Sequence, residues 1–247
     1  MQEILSRALI GLFFGTFGTT IGGILGITIK KHSNKFLGFT LSFASGLMMA
    51  IICFDLIPEG LQISNLGILL IGILLGIIMM IFCDYAVQKK FTLKEKSNHK
   101  KEKLLKTGII VSIGLAIHNF PEGLAIGAGF EASIKLGLGL AIAICLHDIP
   151  EGISMAVPMK NGGMAKRKVL LYVIISGLTT GIGALIGAIL GTISQEIIAI
   201  SLGFAAGAML YIVSGELVPE ANTLYNGKMT ALGNIFGFLI GMFAVMI

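Results

Sequence analysis

The sequence predicts an all-α polytopic membrane protein, with eight transmembrane helices in a 3+2+3 inverted-repeat arrangement. Three observations predict it. Of the 247 residues, 55% are hydrophobic and only 13% charged, and the mean hydropathy is +0.94. A soluble chain carries about a quarter charged residues. The apolar residues gather into eight stretches, each near the ~20 residues that a helix needs to cross the hydrocarbon of a bilayer. Finally, the end of the chain repeats its beginning at an offset of 161 residues.

The stretches lie at 7–29, 37–58, 66–87, 106–129, 134–158, 169–190, 196–219 and 229–247. The first is too long for a signal-peptide core and lacks a small-x-small cleavage site, so it is kept as a span. Glycine is frequent, at 34 residues, and tryptophan is absent. Small residues let membrane helices approach closely. The three cysteines, Cys53, Cys83 and Cys145, all lie in apolar stretches and form no CxxC pair, so neither a disulfide framework nor a thiolate metal site is indicated.

Charge orients the spans. The net charge of +5 reflects 18 basic residues. All but Arg7 and Lys135 fall in the connections after spans 1, 3, 5 and 7. Positive connections stay in the cytoplasm. Both termini are therefore expected outside, in a cell inner membrane. The basic excess reads as a topology anchor facing the lipid bilayer rather than as a nucleic-acid surface. The lysine-rich stretch is expected to be a cytoplasmic loop over 88–105. Its His99, and His32 in the first connection, read as solvated histidines.

The repeat lays LSFASGLMMAIICFDLIPEG (41–60) on LGFAAGAMLYIVSGELVPEA (202–221). Asp55 meets Glu216, and Pro58 and Glu59 meet Pro219 and Glu220. Gly22 and Gly26 meet Gly183 and Gly187. Spans 1–3 thus match spans 6–8. An offset of five spans reverses direction, so the halves 1–87 and 169–247 are inverted about the central helices 106–158, within one transmembrane domain over 1–247. Inverted repeats with a midplane site are a transporter signature.

The central spans carry the chemistry. Span 4 contains HNFPEG (118–123) and span 5 contains HDIPEG (147–152). On a helix, residues i and i+4 share a face. His118 therefore points with Glu122, and His147 with Glu151. Each phrase lies ~18 Å into its span at about 1.5 Å per residue, near the bilayer centre. Imidazole and carboxylate, twice over, form a ligand set for divalent metal. Two glutamates would neutralise one divalent ion. An ionisable group at this depth is a functional hypothesis by default. Asn119 and Asp148 turn away from the first site and could build one beside it. Pro121 and Pro150 free the carbonyls of Ile117 and Leu146 and could kink their helices open. Asp55 and Glu59 are expected near the outer surface and Glu216 and Glu220 near the inner one, as pathway candidates. Asp84 reads as interfacial. Met48, Met155 and Met209 read mostly as packing.

With these motifs, the chain resembles the ZIP (Zrt/Irt-like) family of divalent-metal transporters, in its bacterial branch. The resemblance covers essentially the whole chain. It implies a main transport site of His118, Glu122, His147 and Glu151. Beside it, a second site would use Asn119, Glu122, Asp148 and Glu151. It implies import of zinc, iron, manganese or cadmium toward the cytoplasm, with zinc first; the same donor set also suits cobalt. It also implies a moving bundle of spans 1, 4, 5 and 6 against a scaffold of spans 2, 3, 7 and 8, often as a homodimer. Thr180 departs from the pattern, because relatives often carry a glutamate there. A weaker second site, or a single metal, is expected. With only His99, the loop is not expected to be a strong metal sensor. No cofactor and no enzyme activity are expected. HExxH, the motif of an intramembrane metalloprotease, is absent. A metal-gated channel or an exporter stays open as an alternative, since direction and coupling are not written in the spans.

Overall fold

The eight apolar stretches form eight helices in a computed structural model that describes residues 2–28, 33–92 and 100–246. Helix α1 is Gln2–Thr28. Helix α2 runs over Asn34–Ile51, passes through a π-helical turn at Ile52–Leu56 and continues over Ile57–Ile63. Helices α3 to α6 are Leu66–Thr92, Lys100–Ala132, Ile134–Asn161 and Lys166–Gly191. Helix α7 repeats the pattern of α2: Gln195–Ile212, a π turn at Val213–Leu217, then Val218–Leu224. Helix α8 is Lys228–Met246.

Local chemistry sets several boundaries. Ser33, Ser133 and Ser194 cap α2, α5 and α7, their hydroxyls accepting from the backbone N–H of Phe36, Leu136 and Ile197. Ser33 and Ser194 stand 161 residues apart, as do the two π turns. In each π turn the N–H of the residue before the proline donates five residues back, Ile57 to Ile52 and Val218 to Val213.

Two expectations change. Of the stretch expected as a loop over 88–105, the described residues are helical, because α3 continues to Thr92 and α4 already begins at Lys100. Lysine and glutamate are good helix formers, so the charged flanks prolong the helices beyond the apolar core. His32 and His99 lie outside the described residues, as do Lys30, Lys31, Lys94 and Lys96. The prolines also act elsewhere than expected. Helices α4 and α5 run through Pro121 and Pro150 without a break. The irregular turns lie in α2 and α7, just before Pro58 and Pro219.

The helices pack as two groups, the ones that the resemblance implies. Helix α1 lies along α5 and α6, and α4 along α5 and α6. In the other group α2 packs on α8 and α3 on α7, with α2 and α7 in contact. Within each group the crossings are glycine-tight. Gly22 and Gly183 leave no room for a Cβ beside the carbonyls of Ile149 and Phe120. Gly46 and Gly207 do the same against Asn234 and Ile73. These contacts come in pairs at the repeat offset, which is a two-fold relation seen at backbone level. The relation carries α4 onto α5 with a shift of 29 residues, so His118 corresponds to His147.

The seam between the groups is built differently. Helices α2 and α7 meet α5 and α4 through Leu47, Met48, Ile51, Leu140, Ile144 and Met209, all buried in one apolar cluster. Large apolar side chains such as Phe13, Phe82, Ile182 and Phe243 face outward. That surface suits hydrocarbon rather than water.

Candidate metal site

Helices α4 and α5 place the two phrases side by side. His118, Glu122, His147 and Glu151 each offer one ligand atom, and these atoms all lie within 4.8 Å of one another. Among the described residues no other group of three or more His, Cys, Asp and Glu side chains converges in this way. His118 Nε2 is 3.0 Å from Glu122 Oε1 and 3.2 Å from Glu151 Oε1. His147 Nε2 is 2.6 Å from Glu122 Oε1. Glu122, His147 and Glu151 are fully buried and His118 nearly so.

The polar bookkeeping favours a cation. His147 Nδ1 lies 3.2 Å from the Ala143 carbonyl, to which its N–H donates. That bond fixes the ring and leaves Nε2 as the lone-pair nitrogen, the arrangement typical of a metal ligand. This lone pair then faces a carboxylate oxygen, a contact that is repulsive unless a proton or a cation mediates it. Glu122 Oε2, both carboxylate oxygens of Glu151 and both ring nitrogens of His118 have no hydrogen-bond partner. Buried polar atoms are normally satisfied. A divalent ion would satisfy several of these at once.

The residues expected to form an adjoining site behave unequally. Asp148 is fully buried with neither oxygen hydrogen-bonded, and its Oδ1 lies 3.6 Å from His147 Nε2. Its Cβ lies against Gly18 of α1. Asn119 is turned to α6, where its amide donates to the Ser176 carbonyl at 3.0 Å. Thr180 is fully buried, packs against Gly15 of α1, and leaves its hydroxyl without a partner. Met48 and Met209 are buried in the seam and Met155 in a cluster between α1, α4, α5 and α6.

Two cavities flank the four ligands. One, of about 400 Å³, opens at the end of the molecule that carries Lys106. Glu216, Glu220 and Asp84 line it, and it reaches His118. The other, of about 410 Å³, opens at the opposite end among Asp55, Glu59 and Lys135, and none of the four ligands lines it. The four pathway candidates thus divide between two mouths. Asp84, read from the sequence as interfacial, belongs to the Lys106 mouth. It lines the first cavity and accepts a hydrogen bond from Tyr211 Oη at 3.1 Å. Nothing in the sequence around Asp84 marks it as a cavity residue. Its role comes from the packing of α3 on α7.

A buried four-ligand site inside one of two glycine-packed helix bundles defines a class, the polytopic membrane proteins that handle metal cations. Comparison with known proteins narrows the class. The family model described as ZIP Zinc transporter matches residues 85–247. The chain is 30% identical over 230 residues to Zinc transporter ZupT of Enterobacter sp. (strain 638), covering 90% of this chain and 89% of that protein. It is 30% identical to Protein zntB of Dictyostelium discoideum, covering 99% and 82%. Its match to Zinc transporter ZIP11 of Xenopus tropicalis is 37% identical but spans only 42% of that protein. The chain belongs to the ZIP zinc transporter family.

Proposed function

We propose that the protein carries divalent transition-metal cations, zinc first, across a cell inner membrane toward the cytoplasm. The cation is held by His118, Glu122, His147 and Glu151 and passed on by alternating access. Cadmium, iron, manganese and cobalt are further cargo that the same nitrogen and oxygen donors accept. The observation that carries this reading is the convergence of four buried ligand atoms within 4.8 Å. The Lys106 end is the cytoplasmic one by the charge of its connections, and both termini then lie outside. The cavity from that end reaches His118 and the opposite one does not, which supports a carrier caught open to one side rather than a continuous channel. Asn119, Glu122, Asp148 and Glu151 form an auxiliary, weaker site, with Thr180 where relatives often carry a glutamate.

Flux into proteoliposomes loaded with a zinc-sensitive dye tests this. Wild-type protein takes up zinc saturably, while Glu122→Ala and Glu151→Ala abolish uptake. Uptake that survives both substitutions refutes the site. Folded wild-type protein that moves no metal refutes transport.

A further inference from the structure

The two-fold relation extends from the helices to the cavities. Asp55, Glu59 and Lys135 line one mouth. Their counterparts Glu216, Glu220 and Lys106 line the other. Ala244 in the first cavity corresponds in the same way to Cys83 in the second. Each mouth therefore carries the same three charges: two carboxylates from the α2 and α7 group, and one lysine from the α4 and α5 group. These are the Lys and Arg residues that line the two cavities, and each comes from the helix group opposite to its acids. None of the ion pairs found among the described residues uses either lysine.

The geometry points to Lys135 and Lys106 as resident counter-cations, one at each mouth, that an arriving divalent ion must displace. Two carboxylates and one ammonium leave a mouth attractive to cations. The ammonium rides on a flexible four-carbon stem and can swing aside. A monovalent ion brings no more charge than the lysine that it would replace. A divalent ion brings twice as much and wins the acids. The lysines thus act as specificity residues, selecting divalent over monovalent cations before the buried site is reached. At the Lys106 mouth the returning ammonium helps to release the metal. Asp84 gives that mouth a further carboxylate and has no counterpart at the other, where position 245 is valine.

This inference rests on the transport reading, so its first test is independent of flux. In protein carrying Cys53→Ala and Cys145→Ala, Cys83 reports the Lys106 mouth. With Cys83→Ala added, Ala244→Cys reports the other. The ratio of labelling rates with a cationic and an anionic methanethiosulfonate reads the local potential. Lys106→Met raises the cation-to-anion ratio at Cys83 about five-fold and leaves position 244 unchanged. Lys135→Met does the reverse, and the Arg variants leave both ratios at the parent value. Ratios unmoved by either Met substitution overturn the proposal, and so do Arg variants that behave like Met.

Zinc uptake tests the displacement. Lys135→Met lowers KM and makes potassium an inhibitor, whereas Lys106→Met lowers kcat with KM little changed. An unchanged KM together with unchanged potassium sensitivity overturns displacement. If wild-type protein moves no zinc, the proposed function fails, while the labelling ratios still decide the lysines.

Discussion

Glu122 touches both histidines, at 3.0 and 2.6 Å, and so joins the ligands of α4 to those of α5. Replacing it by Gln keeps the shape and removes the charge. Loss of a residue that merely supports a metal ligand weakens affinity 10- to 100-fold. Glu122→Gln is expected at or beyond the upper end, about 100-fold in zinc Kd by equilibrium dialysis. Zinc at a hundred times Kd should also stabilise the wild-type fold by about 2.7 kcal/mol. That rise in unfolding temperature should vanish in the Glu122→Ala, Glu151→Ala double variant, and its persistence would place the bound zinc elsewhere. At this scale the site was largely legible. The i, i+4 spacing of His118 with Glu122 and of His147 with Glu151 depends only on helix geometry. The turn of Asn119 toward Ser176 was not legible, because it depends on where α6 lies.

At the scale of elements, the contrast is between glycine crossings inside each bundle and bulky side chains at the seam. Gly183→Ala would drive a methyl group into the Phe120 carbonyl. A backbone neighbour yields less readily than a side chain, so the expected loss is about 3 kcal/mol, seen as a lower unfolding temperature in detergent. Met48→Leu, in the seam, conserves volume and should cost less than about 1.5 kcal/mol. Its effect is expected in the uptake rate instead, and a large stability loss would show the seam to be as rigid as the crossings. The glycine pairs were visible in the sequence through the repeat. The π turns at Ile52–Leu56 and Val213–Leu217 were not, because a proline in an apolar run signals disturbance without saying which neighbouring turn absorbs it. Such turns frequently mark functional positions, and here they carry Asp55 and Glu216.

For the whole molecule, the two-fold relation predicts the conformation open at the Lys135 end. The deep lining residues of the present cavity, Ile212, Leu217 and Leu115, correspond to Ile51, Leu56 and Ile144. Those three are fully buried. In the other conformation they should line a cavity that ends at His147, as the present one ends at His118. Cysteine at position 51 or 56 is then expected to react with an impermeant reagent from the Lys135 side during turnover, and to be protected while the protein stays open at the Lys106 end. No labelling under any condition would rule out a symmetric exchange of states. The repeat that allows this inference was readable from Asp55, Pro58 and Glu59 against Glu216, Pro219 and Glu220. Which mouth stands open was not, since both halves have the same pattern and the difference is one of packing.

The close polar contacts between helices, Tyr211 to Asp84, Asn119 to Ser176 and His147 to Glu122, each stay within one bundle. The seam is an oily bearing. Sliding along it trades one set of apolar contacts for another of similar size, so the bearing has no detent of its own. The resting position is left to the charges that ride on it, the cargo at the centre and the lysines at the two mouths. A carrier built this way is moved by what it holds.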